Sequence, residues 1–191
     1  MNAATQRHGS APPVQRCDIW SYVSPSRLNL WLKCPLAFRL RYVDGVESRI
    51  TKAQFVGRRV HAALEHYYRQ RQFDLQLDRA DAITAVKVAT QVAVQAAWSP
   101  AVVAERIEFA DAADEAACRK QTTALVSAYL DHVSPAEPKP LMVETSLDAP
   151  LVDPDTGENL GLPLVGVLDL VLDDPLGPTI VDFKTASRGG D

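Results

Sequence analysis

Apolar residues recur at helical spacing through the first two thirds of the chain and gather into short β-branched runs in the last third. Ser24-Pro25 followed by Leu28, Leu30, Trp31 and Leu32 predicts a helix start, with Ser24 as cap and Pro25 at the first helical position, where its missing N–H costs nothing. Cys34-Pro35 resets the pattern. A second short helix is expected from Pro35 to Tyr42, with Leu36, Phe38, Leu40 and Tyr42 against the core and Arg39 and Arg41 outward, ending at Asp44-Gly45. From Lys52 to Gln72 the stripe Phe55, Val56, Val60, Leu64, Tyr67 and Tyr68 predicts a long helix, and His61 lies beside that stripe. Two further helices are expected, from Ala80 to Trp98, ended by Ser99-Pro100, and from Ala112 to Val133. The runs 141–147, 160–172 and 179–185, separated by Asp155-Thr156-Gly157 and by residues 173–178, read as three strands of a meander. Helices first and sheet last predict an α+β domain whose helices cover the sheet.

The last hairpin can be registered from its loop. If residues 173–178 form the connection, Leu172 pairs with Thr179 and Asp169 falls opposite Asp182. Directly opposed side chains in an antiparallel ladder have Cβ atoms about 4.5–5.5 Å apart, and like charges there destabilise the sheet. Alternation points Asp182 and Lys184 the same way, while Leu168, Leu170, Leu172, Val181 and Phe183 form the opposite, apolar face. A divalent cation such as Mg²⁺ or Mn²⁺ would offset the repulsion, since such ions take one or two carboxylates and complete their shell with water and substrate phosphate. Lys184 could then position or deprotonate an attacking water and balance charge in the transition state. The D-x-K spacing by itself equally fits a surface ion pair between Asp182 and Lys184.

Composition leaves this picture standing. The chain has 191 residues, 47% hydrophobic and 23% charged, enough for one good core. Residues 1–20 are expected to be a flexible leader and 21–191 a single domain. No stretch approaches the roughly 18 apolar residues of a membrane helix, and the polar start lacks the apolar segment of a signal peptide, so a cytoplasmic protein is expected. The net charge of −4 disfavours a nucleic-acid binder, but it is unevenly spread. Residues 27–71 hold ten basic and three acidic residues, a balance of +7 that leaves −11 elsewhere. Arg58 and Arg59, next to His61, are the best DNA-contact candidates in that stretch. Cys17, Cys34 and Cys118 fit neither a disulfide framework nor a complete zinc site.

Taken in order, Ser24-Pro25-Ser26-Arg27-Leu28, Trp31, Cys34-Pro35, Phe38, Tyr42, Gly57 with His61, Glu144, Gly166 with Asp169, and Asp182-Phe183-Lys184-Thr185 resemble the PD-(D/E)XK nuclease superfamily. The similarity is greatest to its RecB-type branch, which includes the RecB and AddB nuclease domains and CRISPR-associated exonucleases. It extends from Ser24 to Thr185 except for the variable helical section 75–140. It implies a restriction-endonuclease-like fold and a metal-dependent deoxyribonuclease, an exonuclease of DNA repair or recombination with DNA as partner and a helicase or CRISPR protein as a further one. It also implies His61, Asp169 and Asp182 as metal ligands, the Phe183 carbonyl as another, Lys184 as the catalytic lysine and Glu144 as a supporting first-strand acid. Gly57, one turn before His61, fits a helix face closely approached by substrate.

Two departures stand out. Family members continue past the D-x-K strand into a helix with a Gln and Tyr motif and another strand, so the fold is expected to be incomplete after residue 191. In the iron-sulfur branch a cysteine at the position of Cys34 joins three C-terminal ones around a [4Fe–4S] cluster, and those three are absent, leaving Cys34 a packed thiol or one orphaned ligand. The alternatives to a nuclease are a non-catalytic DNA-binding or helicase-docking module of the same fold, and an unrelated α+β protein whose Asp169, Asp182 and Lys184 form only an ion-pair cluster.

Overall fold

The computed structural model describes residue 19 and residues 21–73, 80–134 and 136–185. The expected leader therefore lies outside the described residues apart from Ile19, as does Cys17. Helix α1 (Pro25–Lys33) starts as its sequence predicts, the Ser24 hydroxyl accepting the Arg27 N–H at 3.3 Å. Helix α2 (Pro35–Phe38) runs into a π-helical turn over Arg39–Val43. Here the amphipathic expectation fails. Phe38 is buried, but Leu36 and Leu40 are exposed, as are Leu28, Trp31 and Leu32 of α1. The inward residue is Arg27, whose guanidinium donates to the Ile19 and Tyr22 carbonyls and lies 3.7 Å from the centre of the Tyr22 ring. Cys34 is not a packed thiol. It is exposed, and its sulfur accepts the Ala37 N–H as the cap of α2.

Helix α3 (Lys52–Phe73) opens with a reciprocal capping box: the Thr51 hydroxyl accepts the Gln54 N–H, and the Gln54 side chain accepts the Thr51 N–H at 2.8 Å. It packs against α4 (Ala80–Ala104), α5 (Ala112–His132) and the sheet. Pro100 does not end α4. Trp98 and Ala101 on either side of it are buried with Phe55, Val56 and Cys118, and this packing holds the helix across a residue that would break an isolated one.

The sheet has the order β1 (Pro140–Val152), β2 (Asn159–Leu172), β3 (Thr179–Val181), all antiparallel. Leu172 pairs with Thr179 and Leu170 with Val181, the register read from the loop. β1 and β2 run further than expected, into an exposed hairpin tip against which Val23 forms a parallel bridge to Leu164. β3 is shorter than expected and residues 182–185 continue beyond the ladder. The main core joins Val60, Leu64, Tyr67 and Tyr68 of α3 to Val126 and Leu130 of α5 and to Val143, Leu170, Leu172 and Phe183. This is an α+β architecture with five α-helices and a three-stranded sheet among the described residues. None of those helices is long and apolar enough to cross a membrane.

Candidate metal centre

The face of α3 that meets the sheet carries His61, and two acids reach it. The ring Nδ1 lies 3.7 Å from Asp169 Oδ1 and 4.0 Å from Glu144 Oε1. One donor atom from each residue falls within 4.8 Å of both others, which places three ligands around one point. All three side chains are largely but not fully covered, at 31% exposure for His61, 25% for Glu144 and 13% for Asp169.

Regular strand geometry would not produce this. Val143 and Leu170 pair across the sheet and face the core under α3, so alternation sends their neighbours Glu144 and Asp169 to the other side. Glu144 escapes by adopting a left-handed backbone, with φ +43°, in the middle of β1. A non-glycine residue there costs on the order of 1–3 kcal/mol and persists only where its surroundings enforce it. Asp169 sits where β3 has just left the ladder, and its Oδ2 accepts the Phe183 N–H at 2.7 Å, leaving Oδ1 toward His61. The Phe183 ring is buried against Tyr68 and Tyr129 and edge-on to His61, so the 182–185 segment is anchored from both its backbone and its side chain.

Burial, and then the negative charges of Asp169 and Glu65, push the Glu144 carboxyl above its ordinary range. The folded protein therefore binds more protons than the unfolded chain between the ordinary and the raised value. Stability falls as pH rises through that window, and the whole penalty is present at neutral pH. Glu144→Gln should accordingly raise the melting temperature at pH 7 in chelator, by about 2–4 °C for each kcal/mol relieved. The gain should vanish near pH 4, and Mn²⁺ should stabilise the parent but not the variant. A lower melting temperature for the variant at pH 7 would contradict this account of the site.

Asp182 is not among the residues whose donor atoms converge, although Lys184 feels the charge of Asp169 as well as that of Asp182. The charged ends of Asp182 and Lys184 meet at 2.6 Å, 59% and 80% exposed, and they line a small hollow with Val60, Leu64 and Tyr129. The hydrogen bond that Lys184 donates to Asp182, and then the negative charge of that carboxylate, raise the Lys184 pKa, so this side chain stays an ammonium rather than a base. His61 and Glu144 line a different and larger cleft of about 760 Å³, shared with Gly57, Arg58, Arg59 and Glu105. Thr185 touches both hollows. Gly57 is approached closely by this chain itself: a Cβ there would stand 2.9 Å from Thr185 Oγ1. Gly57→Ala should therefore turn the Thr185 hydroxyl aside, while its better helix propensity, worth up to ~1 kcal/mol, offsets the clash. The expected result is little change in melting temperature; a fall of several degrees would show that Thr185 cannot give way.

The basic stretch is largely neutralised, mostly by acids far along the chain. Arg49 pairs with Glu108, Lys52 with Asp114, Arg58 and Arg59 with Glu105, Arg69 with Glu65 and Arg71 with Glu137. Lys33 and Arg41, on the arm formed by α1, α2 and the π-helical turn, have no acidic partner among the described residues, Arg41 lying 5.4 Å from the centre of the Tyr42 ring.

A family model described as the PD-(D/E)XK nuclease superfamily matches residues 22–191. The chain belongs to that superfamily, and its architecture is the restriction-endonuclease-like α+β fold. No curated protein and no solved structure matches it.

Proposed function

We propose that the chain is a Mn²⁺- or Mg²⁺-dependent deoxyribonuclease of the RecB-type branch, an exonuclease that hydrolyses phosphodiesters in repair or recombination. The observation that carries this is the convergence of His61, Glu144 and Asp169 on one point at the cost of a left-handed Glu144. The donor set fits a divalent ion: two carboxylates without a permanent cation between them, and an imidazole whose nitrogen favours Mn²⁺ over the harder Mg²⁺. Such an ion supplies Lewis-acid polarisation of the phosphodiester and a more acidic attacking water.

The chain's own residues supply the rest. Asp169 is oriented by the Phe183 N–H, and His61 is held by its edge-on contact with the Phe183 ring. Lys184 serves as a permanent positive charge for the developing phosphorane, its long exposed side chain turning toward the cluster while Phe183 stays anchored, with the exposed Asp182 carboxylate turning alongside as a further ligand. Uncompensated charge on Lys33 and Arg41, together with the arginine pair in the cleft, offers phosphate contacts. A helicase or CRISPR protein as partner belongs to the same reading; a [4Fe–4S] cluster would use Cys34 only with three further C-terminal cysteines, which Cys17 and Cys118 do not supply.

The test is cleavage of end-labelled DNA with Mn²⁺, with Mg²⁺ and with chelator. Metal-dependent mononucleotide release supports the reading. DNA binding without cleavage in any divalent ion favours instead a non-catalytic module of the same fold, for which the supporting observation is that Asp182 is paired with Lys184 and is not among the converging ligands.

A further inference from the structure

Glu105 is the most constrained acid in the cleft and nothing in the metal centre requires it. It caps the C-terminal end of α4, where the Ile107 N–H reaches back to the Val102 carbonyl and Arg106 takes a left-handed φ of +52°, a position that ordinarily favours glycine. That turn fixes Glu105, 16% exposed, against α3. Its Oε2 accepts from Arg58 at 2.9 Å and its Oε1 from Arg59 at 2.5 Å. One carboxylate thus faces two guanidiniums and leaves the triad a net positive charge. The Arg59 Nε–H is buried with no acceptor at all. The arrangement lines the same cleft as His61 and Glu144.

Two forked donors converging on a pair of oxygens describe an oxyanion site, because a carboxylate and a phosphate both present paired oxygens to guanidinium. We propose that Arg58 and Arg59 form a phosphate subsite beside the metal centre and that Glu105 occupies it as an internal surrogate, keeping the arginines aligned until a backbone phosphate takes its place. Binding here is then an exchange of one anion for another. The inference rests on the nuclease reading for the identity of the phosphate as DNA, but not for the subsite itself.

Glu105→Gln keeps the shape and removes the competing charge. In this variant inorganic phosphate, titrated against chloride at constant ionic strength, should raise the melting temperature at about tenfold lower concentration than in the parent, and Arg58→Ala/Arg59→Ala on the same background should remove the effect. With Ca²⁺ in place of the catalytic ion, the variant should bind a DNA duplex about tenfold more tightly at low salt, with a steeper dependence on salt by about one phosphate contact. Should the variant not fold, the Arg59 Nε–H resonance of the parent gives the same answer, shifting with inorganic phosphate and not with chloride. No phosphate response in either protein overturns the subsite and leaves the nuclease reading intact. A phosphate response with no DNA binding by parent or variant keeps the subsite and overturns the nuclease reading.

Discussion

Asp169→Asn should abolish metal-dependent cleavage, by a factor of at least about 10³, while the protein stays folded. Asp169 has two separate duties. Oδ1 faces His61, and Oδ2 accepts the Phe183 N–H that holds the segment after β3. An asparagine carbonyl can still accept that N–H, so the anchor survives, but the site loses a negative charge and a metal oxygen. Asp169→Ala loses both and leaves the Phe183 N–H without its acceptor, which costs about 1–3 kcal/mol if it remains dry. The account therefore expects equal loss of activity in the two variants and a lower melting temperature only in the alanine one. Calorimetric titration with Mn²⁺ should show binding lost in both. An active asparagine variant would remove Asp169 from the metal centre.

Lys184→Ala is the second large effect. Its ammonium is exposed and its partner Asp182 is more than half exposed, so the pair contributes little to stability and the melting temperature should barely move. Cleavage should nevertheless be lost, because a cation that acts in the transition state is irreplaceable by solvent there. Mn²⁺ binding should persist, the cluster of His61, Glu144 and Asp169 being unaltered. The raised pKa adds a further expectation: the activity of the parent should not fall at neutral pH through protonation of Lys184, since this group is already protonated. A Lys184→Ala protein that degrades DNA near the parent's rate would exclude it from the mechanism.

Local features of this fold were legible in the chain because their causes are local. Ser24-Pro25 carries its own cap, and the six-residue turn 173–178 sets the register of the last hairpin, placing Asp169 opposite the end of β3. What escaped depends on partners distant in sequence. The left-handed Glu144 has no signature in Val143-Glu144-Thr145, since a glutamate gives no hint of positive φ; only the approach of α3 calls for it. The basic stretch looked like a footprint because Glu105, Glu108, Asp114 and Glu137, which neutralise it, come some 46–66 residues later. Apart from Phe38, the large apolar residues Leu28, Trp31, Leu32 and Leu36 of α1 and α2 followed a helical pattern yet stayed outside, while Arg27 turned inward toward carbonyls that no periodicity announces. Alternation correctly placed Phe183 in the core, whereas the convergence of Glu144 and Asp169 on His61 depends on the left-handed turn at Glu144 and on the Phe183 N–H that holds Asp169.

The central claim is that His61, Glu144 and Asp169 hold one divalent ion. Anomalous diffraction at the manganese edge from crystals soaked in Mn²⁺ tests it most directly. The account predicts a single strong peak within about 2.4 Å of a His61 ring nitrogen and of carboxylate oxygens from both Asp169 and Glu144. Saturating Mn²⁺ with no peak at that point, or a peak bound by Asp182 with His61 out of reach, would contradict it.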